Sequence, residues 1–504
     1  MELETESTKV SYTAGIIAVL ALWLVPLFFF VFGLNHLIGP DAYYHSQLAM
    51  EMKENGLILH DFTYATHSIW VNDWFDKEWL FHVIQVPFLS MGKMLGSQVY
   101  IIFLNLLLIA ALFTYSRSLK CNIYQSLILI ALTPWICWGV FWVRLVTCRP
   151  HLISIIILIF SIIAILKRKH ILLAVLTIIY ALSYTGHWQL LGLVLIADCL
   201  FYFFDETGKK RETFYKDFPL TVTCLLAMII GNCIHPNFPN NIHGLYVQNV
   251  EVLFDSWTKS SSGDSRPMEL RPINIFRFIP FSIILLIGLG FAIKFKRLKL
   301  SRNLYVLIIF TLIYIVLSSL SGRFLEYLTP VSILLAILLA KDLKIDWQEK
   351  RTVYSSLALG LAIIAYGAIG YNHYYSKYVD PFTQQKSPPM YLIGKFIQEH
   401  ADEGELVVCT RWPEMSILWN MAPEQKQLLF LDPMYMKRYS KKHSNFLDQL
   451  RRGQLEYPME IIKTEFGARF LVCHSESKAL MGILKNRGIN PVFEDGDWFV
   501  YIFD

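Results

Sequence analysis

The stretch "GPDAYYHSQLAMEMKENG" (Gly39–Gly56) follows the first long apolar run of the chain, and its reading decides the rest. Gly39-Pro40 reads as a helix start, a capping position followed by proline at the first helical residue. Asp41 then falls in the first turn, and Asp41, His45 and Leu48 share a face at helical spacing. An acid there complements the helix N-terminus by roughly 0.3–1 kcal/mol. That is one reading of Asp41; the surrounding sequence supplies another.

The chain has 504 residues, 55% of them hydrophobic and 17% charged. So much apolar surface does not fit inside one aqueous core, which points to a polytopic helical membrane protein. Aromatics reach 15%, with 13 Trp and 26 Tyr, as belts at two interfaces require. A net charge of +5 is loop charge rather than a nucleic-acid surface. About 20 apolar residues cross a bilayer, and that length predicts about eleven spans. They lie near residues 14–38, 98–116, 122–142, 150–166, 171–187, 190–204, 218–234, 276–296, 303–321, 324–340 and 353–371. The first run lacks a small-residue cleavage site and reads as an uncleaved anchor.

Alternate connections are basic: Arg117 and Lys120; Lys167, Arg168 and Lys169; Lys209, Lys210, Arg211 and Lys216; Lys294, Lys296, Arg297, Lys299 and Arg302; Lys341, Lys344, Lys350 and Arg351. The positive-inside bias puts these and the N-terminus in the cytoplasm, and the lack of an N-x-S/T sequon in the outer segments favours a bacterial inner membrane. Loops near 39–80 and 235–275 then face outward, as does everything after about residue 372. The polar tail, 373–504, reads as a small extracytoplasmic α/β domain. Its strand-like runs "ELVVCT", "QLLFLD", "ARFLVCH" and "WFVYIF" are separated by amphipathic helical stretches, and "SPP" (Ser387–Pro389) marks its start. Cys409 and Cys473 each end a strand-like run, which leaves a disulfide or two packed thiols open. The other cysteines form no C-x-x-C pair, so metal-knuckle readings are weak.

The first outer loop continues as "HDFTYATHSIWVNDWFDKEWLFH". Asn72 or Asp73 can cap a second short helix with Asp76 as capping-box partner. Glu78 and His82 share a face of that helix beside Trp79, where a carboxylate can act as acid, base or metal ligand. Polar residues elsewhere fall on the same predicted side. Arg144, Arg149 and His151 stand in "RLVTCRPH", His187 in "YTGHWQ", His235 and Asn237 in "NCIHPNFPNN", and Arg323 with Glu326 in "SGRFLEYLTP". Ionisable groups near a bilayer are functional candidates, although snorkelling accounts for some of them. Acids and arginines together at a membrane surface suit transfer of a sugar from a lipid phosphate. Guanidinium holds the phosphate through paired hydrogen bonds. A carboxylate takes a proton from the acceptor.

These motifs, in this order, resemble the C-type glycosyltransferase (GT-C) superfamily of polytopic membrane enzymes. It includes oligosaccharyltransferase catalytic subunits, protein O-mannosyltransferases and the bacterial aminoarabinose transferase. The resemblance centres on the acid opening the first outer loop ("GPDAYYH") and on "WVNDWFDKEWLFH". It is closer still to bacterial members with an "RPH" (Arg149–His151), a "GHWQLLG" hairpin, an "HPN" turn, and Arg323, Tyr327 and Pro330 opening a late span. The tail contributes "LWNMAPEQKQLLFLDPMY", "FGARFLV" and "FEDGDWFVYIF". The resemblance implies inverting transfer from a polyprenyl-phosphate-linked sugar to a lipid, glycan or protein acceptor on the extracytoplasmic face. Asp41 matches the family's first-loop acid and would be the general base or the acceptor-positioning group. Ala42 follows Asp41, so the paired-acid motif of mannosyltransferases is absent, and no D-x-D stands in the first loop. A divalent metal site like that of oligosaccharyltransferases is therefore disfavoured, although Asp41, His45 and Glu78 could contribute ligands to one. The competing classes are a transporter or flippase, which predicts midplane charges in repeated halves, and a non-catalytic envelope scaffold. The one-sided placement and the lack of repeats disfavour the transporter; the scaffold requires acids and arginines that do not converge.

Overall fold

The computed structural model describes residues 6–204, 219–252, 275–294, 300–343, 350–379 and 390–503. The basic residues anticipated within 205–218, 295–299 and 344–349, part of the second long loop (253–274) and the "SPP" segment lie outside these ranges.

Each apolar run forms helix, but not each is a full span. Six helices are long and apolar enough to cross a membrane: Tyr12–Gly33, Lys93–Ser118, Thr185–Phe203, Arg302–Leu320, Gly322–Asp342 and Tyr354–Tyr378. The runs at 150–166, 171–187, 218–234 and 276–296 become shorter apolar helices, His151–Leu166, His170–Ser183, Leu220–Cys233 and Pro280–Lys294. Of the eleven expected spans, six are thus helices of spanning length, four are shorter helices and one is a bent pair. Large apolar side chains such as Ile171, Leu226, Ile229, Phe291, Val316 and Leu357 stay exposed on helix faces. Such a surface belongs against lipid. This is a multi-pass membrane protein.

The run at 122–142 departs most from expectation. Ile123–Trp135 and Val140–Val146 meet at a bend of 94°. Gly139 lies in the bend with φ +66, and a Cβ there would come within 2.3 Å of the Gly370 backbone. Only glycine accepts both the left-handed backbone and that approach. The bend turns Arg144 and the Thr147–Pro150 connection toward the start of the His151–Leu166 helix, which is buried almost end to end. The Leu325–Asp342 helix is similarly enclosed. These two helices form the middle of the bundle.

The helix Pro40–Asn55 begins as the sequence indicates. Gly39 is the N-cap at φ +81, Pro40 is in the first turn, and Asp41 is the acid of that turn. The second helix of the loop starts later than expected, at Trp79, with Glu78 as N-cap. Asp73 pairs instead with His243, Nδ1 to Oδ2 at 3.2 Å. Asp76 is no capping-box partner of residue 72 or 73; its Oδ1 accepts from the Glu78 N–H at 3.1 Å.

Residues 390–503 carry a four-stranded sheet of β1 (Val407–Cys409), β2 (Phe470–His474), β3 (Phe493–Asp495) and β4 (Trp498–Ile502), in the order β1-β2-β4-β3. β1 and β2 run parallel, with Cys409 opposite Val472; the other pairs are antiparallel. Cys409 and Cys473 are both buried free thiols. The one-residue offset sends their side chains to opposite faces of the sheet. The expected runs "QLLFLD" and "ELVVCT" differ in fate: only the second becomes a strand of this sheet. The first lies along the first loop. Gln427 N–H donates to Tyr64 O at 2.8 Å, Thr66 N–H to Gln427 O at 3.0 Å and His67 N–H to Leu428 O at 2.8 Å. Around this seam Tyr44, Phe62, Trp70, Trp74 and Phe75 of the loop pack with Trp419, Phe430 and Tyr435 of the tail in one buried aromatic cluster. Loop and tail therefore share a core.

Candidate functional site

The bend, the buried helix N-terminus and the first loop converge on a small polar cavity of about 20 Å³, room for about one water molecule. It is lined by Asp41, His45, Lys77, Glu78, Arg144, Arg149, His151, Tyr184, Arg323 and Glu326, with Leu431 from the tail. Asp41, His45, Glu78, Arg144, Arg149, His151 and Arg323, with Glu326, were all named from sequence and meet here. Lys77, Pro150, Tyr184 and Leu431 complete the wall. Glu326 was signalled by its place beside Arg323. Leu431 had no signal: it comes from the far end of the chain and holds a left-handed φ of +66, rare for a leucine.

The charges are paired. Arg149 Nη2 donates to Asp41 Oδ2 at 2.7 Å, and Arg144 Nε stands 3.4 Å from Glu326 Oε2. Lys77 Nζ is 3.7 Å from Glu78 Oε1, while Glu78 Oε2 is buried without a hydrogen-bond partner. Burial raises the Glu78 carboxyl above the ordinary carboxylate range. Lys77 and His82 oppose that rise, and Asp76 and Asp41 add to it. His151 Nε2 donates to the Arg144 carbonyl at 2.7 Å and so ties the bend to the following helix.

Behind the wall runs a buried chain of hydrogen bonds. Asp76 Oδ2 lies 2.7 Å from His82 Nδ1, and His82 Nε2 lies 2.8 Å from His45 Nδ1. Burial lowers the His45 pKa well below the ordinary imidazole value, and His82, Arg149, Lys77 and His151 push it the same way.

His187, His235 and Asn237 do not line this cavity. His187 Nδ1 donates to Tyr184 O at 2.9 Å and its Nε2 accepts from Asn232 at 3.2 Å. That fixes the residue before the Thr185–Phe203 helix. Asn237 Oδ1 accepts the Asp76 N–H at 3.0 Å, and its Nδ2 donates to Leu59 O at 3.2 Å. His235 accepts the Asn237 N–H at 3.2 Å beside the Trp79 ring. These three brace the site's walls from behind.

The polar cavity adjoins a much larger one of about 880 Å³. Asp41, Lys77, Arg144, Arg149, Tyr184, Arg323 and Leu431 belong to both. The rest of the large chamber is mainly apolar, with Val140, Val143, Leu317, Leu320, Phe324 and Tyr378 among its walls. Four cations therefore stand where an apolar chamber meets a polar one.

Among solved structures this architecture recurs. Archaeal oligosaccharyltransferase AglB from Archaeoglobus fulgidus, in complex with an inhibitory peptide and a dolichol-phosphate, matches at TM-score 0.61 and 12% identity, over 91% of this chain and 70% of that one. ArnT from Cupriavidus metallidurans bound to undecaprenyl phosphate matches at TM-score 0.56 and 12% identity, over 97% and 98%. The fold is GT-C-like. Arabinofuranosyltransferase AftD from Mycobacteria matches at TM-score 0.51 and 9% identity, over 100% of this chain and 40% of that one. No family model matches the sequence, and no curated protein does.

The A. fulgidus enzyme has also been solved in complex with Zn and sulfate (TM-score 0.56, 12% identity, 92% of this chain and 68% of that one). Among the described residues here, no three His, Cys, Asp or Glu side chains are grouped as ligands of a metal ion. Asp41 faces Arg149 and Glu78 faces Lys77 instead. The set Asp41, His45 and Glu78 does not fit a metal site in this arrangement, and the chemistry below uses no metal.

Proposed function

We propose that this protein is a membrane glycosyltransferase that moves a sugar, with inversion, from a polyprenyl-phosphate-linked donor to a lipid, glycan or protein acceptor of the bacterial envelope. The observation that carries the reading is the junction of the two cavities. An apolar chamber of about 880 Å³ ends at Arg144, Arg149, Arg323 and Lys77. A lipid phosphate has the same division, with an apolar tail and an anionic head. Guanidinium groups suit the head because they match phosphate geometry in pairs of hydrogen bonds. The GT-C-like neighbours solved with dolichol-phosphate and undecaprenyl phosphate support the same assignment.

In this reading the donor phosphate rests against the cationic rim with its sugar toward the polar cavity. Asp41 serves as general base for the acceptor, and Glu78, at the edge of the same cavity, acts on the sugar or the acceptor. As the acceptor oxygen or nitrogen bonds to the anomeric carbon, the bond to phosphate breaks and its electron pair goes to the phosphate. The arginines stabilise that developing charge, which makes their contribution catalytic as well as binding. His45, His151 and Tyr184 line the small polar pocket beside the sugar. The active face is extracytoplasmic, the N-terminus is cytoplasmic, and residues 373–504 form an extracytoplasmic cover over the first loop. Leu431 supports this last point, since it brings the tail to the cavity wall.

The test is purified protein in vesicles supplied with labelled polyprenyl-phosphate sugars, with label followed into lipid, glycan and protein fractions. Wild-type protein transfers label. Asp41→Asn reduces the rate by about 10²–10⁴-fold, the usual range for a general base. Full activity in Asp41→Asn removes the residue from this role.

A further inference from the structure

The Asp76–His82–His45 chain has its proton positions fixed by its own partners. Asp76 Oδ1 already accepts the Glu78 N–H, and Oδ2 faces His82 Nδ1 at 2.7 Å. A carboxylate only accepts, so His82 carries its proton on Nδ1. With His82 neutral its Nε2 is a lone pair, and at 2.8 Å it accepts from His45 Nδ1–H. His45 is 2% exposed and makes this one hydrogen bond through Nδ1, so its remaining ring nitrogen, Nε2, presents a lone pair to the cavity it lines. His45 sits one turn after Asp41 on the same helix face, and the cavity between them holds about one water molecule.

We infer that His45 Nε2 receives the proton that Asp41 takes from the acceptor, with His82 and Asp76 as the positioning residues that keep that nitrogen unprotonated. The step rests on the sugar-transfer reading and balances simply. The Asp41 carboxylic O–H bond breaks, directly or through one water, and an N–H bond forms on His45. Asp41 returns to a carboxylate facing Arg149. The imidazolium charge is shared along the hydrogen bonds to His82 and countered by Asp76. The groups around His45 are Asp41, Glu78, Lys77, Arg149, His151 and His82. Burial favours its neutral form before a proton is delivered, and the neighbouring cations act in the same sense.

The arrangement makes a reversal predictable. In Asp76→Asn the side-chain oxygen stays with the Glu78 N–H, which turns the amide NH2 toward His82 Nδ1. That nitrogen must then accept, so the His82 proton moves to Nε2, His45 Nδ1 accepts in turn, and the His45 proton moves to Nε2. The same logic governs an Asn replacement at the acid of a Ser-His-Asp triad.

The experiment is 15N NMR of the full chain, histidine-labelled and reconstituted in lipid without ligand, with His45 assigned from the signal lost in His45→Gln. The inference requires an unprotonated Nε2 in wild type and a protonated Nε2 in Asp76→Asn. A protonated Nε2 in folded wild-type protein overturns it without reference to any variant. The same preparations are assayed with the labelled polyprenyl-phosphate sugars. Asp76→Asn should lower kcat by about 10²-fold or more with little change in donor KM. Unchanged kcat alongside reversed tautomers overturns the inference and leaves the sugar-transfer reading intact. Absence of any transfer by wild-type protein overturns both.

Discussion

Trp419→Ala isolates the seam between loop and tail. Trp419 is fully buried, with ring centroids at 5.0 Å from Phe430, 5.1 Å from Tyr64, 5.3 Å from Phe62 and 5.9 Å from Tyr44. Removing a buried tryptophan costs about 3–5 kcal/mol, because the cavity it leaves closes only in part. Its partners lie on both sides of the seam, so the loss falls on the docking of tail against loop. It does not fall on the β2–β4 ladder, which Trp419 does not join. The assay is hydrogen exchange of the reconstituted protein. Gln427 N–H, which donates to Tyr64 O, and His67 N–H, which donates to Leu428 O, report seam opening. At about 3 kcal/mol their exchange accelerates on the order of 100-fold, while the ladder amides keep their protection. If seam and ladder amides accelerate together, or neither changes, then Trp419 does not hold a separable seam and the reasoning fails. Because Leu431 reaches the cavity through the same segment, transfer activity falls with the loss of seam protection.

Two pH dependences follow from burial. Burial, reinforced by the neighbouring His443, lowers His67 to about 4. The undocked chain takes a proton near the ordinary imidazole pKa and the docked form only near 4, so docking weakens as pH falls through that window. Seam exchange measured across it should rise toward acid in wild type and flatten in His67→Phe; equal slopes refute the assignment. Glu78 behaves oppositely, because its raised pKa contributes stability that is present in acid and lost as pH rises through the folded value. Glu78→Gln should therefore raise the thermal midpoint by an increment that grows as pH rises above the ordinary carboxylate range, while it lowers transfer. A constant increment counts against the raised carboxyl.

The local parts of this molecule were legible in its sequence. Gly39-Pro40-Asp41 announces a helix start through backbone chemistry alone, and the 3.6-residue period places Asp41 and His45 on one face. Apolar runs give helices because a buried backbone must satisfy itself. Pro134 and Gly139 are turn signals inside one such run, yet its apolar content outweighs them, so a bent pair has the hydropathy of one span. Chemistry that depends on remote partners was harder to read. Asp76 looked like a capping residue because spacing reports local possibilities. What commits it to His82 is Asn237, which fixes its backbone from another loop. Nothing in "QLLFLD" distinguishes a strand of the sheet from a segment laid along a loop some 360 residues earlier; only the aromatic cluster decides it. His187, His235 and Asn237 stand at the right level of the bundle but turn into its framework.

The brevity of the His170–Ser183 and Leu220–Cys233 helices, 14 residues each, bears on the membrane itself. At 1.5 Å per residue each is about 21 Å long, against roughly 30 Å of hydrocarbon in an ordinary bilayer. Both turn large side chains such as Ile171, Leu226 and Ile229 outward, so a bilayer matched to that flank would be locally thinner. Tyr184, at the end of the first of these helices, lines both cavities. On the sugar-transfer proposal, local thinning on that flank would shorten the path of a long-chain phosphate to the arginines, so transfer should respond to the thickness of the host bilayer.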